Sequence, residues 1–204
     1  MRSPRTVWVV LAVCLAAAAG QLGARQRYSK QEGDKFQAKL TRIVVFGNTP
    51  AAPGRQTVQS TNITDDELNS YLRFQAREQI PAGMVEPTLN ALGDGRVGGK
   101  VVVDLDAVRK QKPRGWLDPM GYLTGQLPVT ATGTLTTKEG VGRFTLESAE
   151  VSGITVPKSL VQELLTHYSR TPENPAGINM DDPFELPSRI KEIRVGKAQS
   201  TIVQ

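Results

Sequence analysis

The sequence predicts an α+β domain whose strands pair antiparallel. Three observations point there. Apolar residues recur with a period of two in residues 97–106 and 127–137. Asp94-Gly95 and Lys138-Glu139-Gly140 join successive strands by short turns, a connection open only to antiparallel neighbours. On either side, helical spacing replaces the alternation, first after Thr64 and again after Pro157.

The chain opens with Arg2 and Arg5, an apolar run over residues 7–19, and the small residues Ala17-Ala18-Ala19-Gly20. That run is shorter than the roughly 20 residues a membrane span needs, so residues 1–20 read as a signal peptide. The protein is expected to be exported, to the periplasm or cell envelope. Cys14, the single cysteine, would leave with the leader, so the mature chain is expected to lack disulfide and thiol chemistry. Removing Arg2 and Arg5 from the net charge of +5 leaves +3, too little for a dedicated nucleic-acid binder. Two basic clusters remain: Arg109, Lys110, Lys112 and Arg114, then Arg189, Lys191, Arg194 and Lys197. They read as solvated surface or as weak peripheral contact with anionic lipid, about 1 kcal/mol per charge.

Residues 21–54 are expected to form an N-terminal helix and a linker, loosely attached to a single α+β domain over residues 55–204. Ser29 and Glu32 have the spacing of a capping box, and Phe36, Leu40, Ile43 and Val44 share one helical face. Residues 56–60 suit a short strand. Thr64 then caps a second helix, Asp65, Asp66 and Glu67 crowd its positive end, and Leu68, Tyr71 and Leu72 form the expected inner face. Pro81 and Gly83 are expected to stop it. A hairpin over residues 89–106 places Val101, Val103 and Leu105 on one side. A second, over residues 127–151, turns Val129, Ala131, Gly133, Leu135, Phe144 and Leu146 toward a dry face and a row of threonines toward water. Asp118-Pro119 marks a short helical turn between them. After Pro157 come a helix striped by Leu160, Val161, Leu164 and Leu165, a polar loop, and two strands around Gly196.

Little of this supports catalysis, and no enzyme activity is expected. His167 is the only histidine, and no G-x-S-x-G elbow accompanies it. Zinc is not expected, for want of ligands. Gly93 to Gly98 matches G-x-G-x-x-G, but a strand follows where a dinucleotide site needs a helix. Asp104 and Asp106 fall on one strand face as a minor acid-base candidate. No cofactor is implied.

Short motifs carry a family resemblance. Residues 61–72 (Thr-Asn-Ile-Thr-Asp-Asp-Glu-Leu-Asn-Ser-Tyr-Leu) resemble the helix start of small exported bacterial proteins with tubular-lipid-binding (TULIP-like) domains. Residues 153–160 and 184–190 are similar to that family's late helix and closing segment, so the likeness spans residues 56–204. The resemblance implies a half-barrel, a curved antiparallel sheet wrapped on helices with an apolar groove for lipid, and no catalytic residues. Small Ala131 and Gly133 are expected to leave room for an acyl chain. The expected function is a non-enzymatic envelope protein that binds or shields an apolar ligand such as a phospholipid. Leu72, Val103, Met120, Tyr122, Phe144, Leu160 and Leu164 are its expected contacts. A structural or protein-interaction domain with a filled core is the alternative.

Overall fold

A computed structural model describes residues 28–50, 58–81, 83–107, 124–170 and 174–204, with residues 167 and 168 described in the backbone alone. The leader, the connector around Asp118, the first basic cluster, and the contacts Met120 and Tyr122 lie outside the described residues, as does the side chain of His167.

The first helix, α1 (Lys30–Asn48), starts where Ser29 Oγ accepts the Glu32 N–H at 3.2 Å. Only this half of the expected capping box forms. The Ser29 N–H goes instead to Ser70 Oγ at 3.2 Å, and the Glu32 carboxylate takes Lys35 Nζ at 2.7 Å. The far end has no basic residue in its last turn. Arg189 supplies the missing charge, donating from Nε to the Gly47 carbonyl at 2.8 Å and from Nη2 to Phe46 O and Thr49 O, with its guanidinium over the Phe46 ring. A cation set against orphaned carbonyls offsets the negative end of the helix dipole.

Strand β1 (Ser60–Thr64) runs directly into α2 (Asp65–Phe74), so the strand begins four residues later than the sequence reading. A 3₁₀ turn (Arg77–Gln79) follows, and α2 ends well before Pro81. Then come β2 (Met84–Gly93), β3 (Arg96–Asp104), β4 (Gln126–Lys138), β5 (Val141–Val151), β6 (Ile154–Thr155), α3 (Lys158–Tyr168), β7 (Phe184–Glu185), β8 (Glu192–Val195) and β9 (Gln199–Val203). The α+β class with open antiparallel sheets is thus as expected. One sheet has three strands in the order β1-β9-β8; the other has six, in the order β2-β3-β4-β5-β6 with β7 also on β5. The sheets are sewn together where Ala198 N–H reaches Ala91 O at 2.8 Å and Gly95 N–H reaches Val195 O at 3.3 Å.

The deepest apolar packing lies beneath the small sheet. Ile43 of α1, Ile190 and Ile202 form a buried cluster, flanked by Ile63, Leu186 and Ile193. The helix expected to be loosely attached therefore contributes one of the most buried side chains, Ile43, at 4% exposed. Gly47 has no side chain for a steric reason: a Cβ there would sit 2.4 Å from the Ser188 carbonyl oxygen.

In the large sheet the register gathers Leu89, Val97, Val101, Val103, Leu127, Val129, Leu135, Phe144 and Leu146 on one face, as alternation predicts. Glu147 is an extra residue between the pairs Thr132–Ser148 and Gly133–Leu146, a bulge that keeps Ala149 and Val151 on that apolar face. The large side chains there are only half-buried, and Leu89 is 45% exposed. Gly133 is different. The Phe144 ring lies over it, with its Cζ 2.4 Å from where a Cβ would stand, so the notch expected to admit a lipid tail at Gly133 is filled by Phe144. β3 ends at Asp104, one residue before Leu105. Asp104 Oδ1 accepts the Ala107 N–H at 2.9 Å and Asp106 Oδ2 the Gly125 N–H at 3.1 Å. Asp104 thus caps the helical residues 105–107 and Asp106 lies within them, so the two do not share a strand face.

Candidate functional site

The buried side of α2 is polar, against the expectation of a leucine and tyrosine face. Asp65, Glu67, Asn69 and Ser70 are buried, while Leu68, Tyr71 and Leu72 are half-buried. The cause is what α2 lies between: the outer edge of β2, whose strand N–H and C=O groups need partners and meet Asp65 and Asn69, and α1, whose Ser29 N–H and Lys39 ammonium are taken by Ser70 and Glu67. The Asn69 amide serves both groups of Leu89, accepting its N–H at 2.8 Å and donating to its carbonyl at 2.7 Å. One carboxamide thus stands in for a neighbouring strand. The Asp65 carboxylate accepts the Ala91 N–H two residues along, with both oxygens at 3.1 Å. Capping alone therefore does not account for the acidic start of α2.

Thr64 and Glu67 do close the full capping box. Glu67 also holds the Lys39 ammonium of α1 at 2.7 and 2.8 Å. Burial acts to raise the Glu67 carboxyl, but the bonds from Lys39 and the Thr64 amide together outweigh it and hold the group below its ordinary 4.5.

Below this suture α2 and β2 part. Two residues of β2, Glu86 and Pro87, stand where the pairing slips between Val85–Val102 and Thr88–Lys100, and Glu86 has φ 49°. Such a bulge bends the strand. A pocket of about 420 Å³ opens there, within the range of small-molecule sites. Its apolar lining is Leu72, Ile80, Met84 and Val85; Tyr28, Arg73, Arg77 and Glu86 supply polar groups. Met84 and Val85 keep 46% and 38% of their surface accessible.

The expected contacts do not converge on this pocket. Leu72 lines it. Val103 is one strand away, paired with Met84. Phe144 pairs with Leu135, whereas Val103 pairs with Leu127, a separation of about 26 Å along β4 at roughly 3.3 Å per residue. Leu160 and Leu164 lie on α3, the first exposed and the second half-buried. Arg73, Arg77, Ile80 and Met84 were missed, because the bulge that opens the pocket leaves no mark in hydrophobic alternation. Asn69, Leu72 and Arg73 at i, i+3 and i+4 were the signal available.

Of the second basic cluster, Arg189 is spent on α1 and Arg194 pairs with Glu192 at 2.8 Å. Among the described residues no group of three or more metal-ligating side chains occurs, and no helix is long and apolar enough to cross a membrane.

No protein-family model matches the chain, and no curated protein matches it. The chain is similar to the crystal structure of a lipopolysaccharide binding protein, with 16% identity and a TM-score of 0.23 over 77% of this chain. It spans 45% of that protein's length. A likeness at that TM-score carries no weight for fold or function. No family is identified.

Proposed function

We propose that the protein is a non-enzymatic, exported cell-envelope protein that binds or shields an apolar ligand, a lipid acyl chain, in the groove between sheet and helix. The observation that carries this reading is the pocket between α2 and β2. Leu72, Ile80, Met84 and Val85 present accessible apolar surface there, on a rigid support fixed by Asn69 and Asp65. Each methylene buried against such a wall is worth about 0.8 kcal/mol, so a short stretch of chain gives useful affinity. The half-buried sheet face beyond Met84 extends the same surface through Val103 and Leu127.

The test is mass spectrometry of the protein purified from native envelopes. Near-stoichiometric lipid is the expected result, and its consistent absence would remove the reading. Fractionation of the producing cells tests export, with the mature protein expected outside the cytoplasm and shortened by the leader.

A second reading, a structural or protein-interaction domain, draws support from Phe144, which fills the sheet wall above Gly133. Lipid-free purification together with a partner bound through the sheet would favour it.

A further inference from the structure

We infer that the α2–β2 pocket selects a single acyl chain bearing an anionic headgroup, with Arg73 and Arg77 as the headgroup contacts. The inference rests on the proposed apolar-ligand function and adds the ligand's charge and size. Arg73 and Arg77 stand four residues apart and both border the pocket, beside the apolar Leu72, Ile80 and Met84.

Among the described residues, neither guanidinium is fully taken up by the fold. Arg77 Nε donates to the Arg73 carbonyl at 2.6 Å, which anchors the side chain. That bond uses Nε and leaves the two terminal nitrogens to face the pocket rim. Arg73 faces a carboxylate, Glu86, at 3.7 Å. That is beyond the roughly 2.7–2.9 Å of a charge-assisted bond, and Glu86 is 71% exposed. With two cations and one anion, the rim keeps a net positive charge next to apolar surface. An amphiphile with a negative head fits that combination, and guanidinium forks suit carboxylate and phosphate alike.

The size bears on the tail. At about 420 Å³ the pocket stands near the small end of ligand sites, which suits one acyl chain with its head better than two chains side by side.

Isothermal titration of the purified protein with dodecanoate and dodecyl phosphate below their micellar concentrations, and with dodecanol below its solubility limit, tests this. Both anions are expected to bind at least tenfold tighter than the alcohol, and their order tells carboxylate from phosphate preference. Raising salt is expected to narrow the gap, since the rim is exposed. The R73Q/R77Q variant is expected to lose the preference while keeping dodecanol affinity within about twofold. Equal binding of alcohol and anions, or a preference that survives in the variant, would overturn the inference and leave the apolar-ligand function standing. Failure of all three to bind would remove both.

Discussion

Asn69 shows how much one side chain decides here. It is 1% exposed, and its amide satisfies both backbone groups of Leu89 at the edge of β2. Asn69→Ala leaves a buried donor and acceptor without partners, and is expected to cost about 2–4 kcal/mol in urea denaturation. Amide exchange at Leu89 is expected to accelerate beyond that at residues in β4. Glu67 makes a pH prediction. Its folded carboxyl titrates below 4.5, so its stabilisation is fully present above that value and is lost as pH falls through the lowered folded value. Glu67→Gln is therefore expected to destabilise near neutral pH and to flatten the stability profile below about pH 4.5, as read from urea midpoints. The sequence assigns Asn69, four residues after Asp65, no role of its own, because nothing local says that a strand edge lies beside it.

At the scale of elements, alternation and turn chemistry were enough to find the hairpins. Asp94 and Glu139 both adopt positive φ ahead of a positive-φ glycine, as tight hairpin turns require. Helix faces were less legible. Leu68, Tyr71 and Leu72 have the spacing of a buried stripe, yet α2 buries its polar side, since Asp65 and Asn69 meet a strand edge and Glu67 and Ser70 meet polar groups of α1. Gly133 tests how β4 and β5 pack. A Cβ would meet Phe144 Cζ at 2.4 Å and the Thr145 carbonyl at 2.5 Å. Gly133→Ala is expected to destabilise by about 1–3 kcal/mol through overpacking, measured by thermal or urea unfolding. Were Gly133 an empty lipid notch, the same change would be nearly neutral for stability and would block binding.

At the scale of the whole molecule, burial is uneven. The small sheet and α1 enclose Ile43, Ile190 and Ile202, whereas the apolar face of the large sheet keeps its large side chains half-exposed. Ile43→Ala is expected to cost about 2–4 kcal/mol, the usual range for emptying a packed site. Circular dichroism would report loss of both sheets in one transition, because Ala198–Ala91 and Gly95–Val195 bonds couple them. A loosely held α1 would instead leave the unfolding midpoint unchanged.

The sequence by itself determined the α+β class, both hairpins, the helix starts at Ser29 and Thr64, and the polar and apolar sides of the sheet. These follow from spacing within about ten residues, where backbone periodicity and turn geometry act directly. Tertiary structure alone decided which helix face is buried, that Arg189 caps α1 from 140 residues away, and that a bulge at Glu86 opens a pocket beside Arg73 and Arg77. Each of those depends on what lies across a contact between distant segments, and side-chain partners at that range are set by packing and not by local pattern.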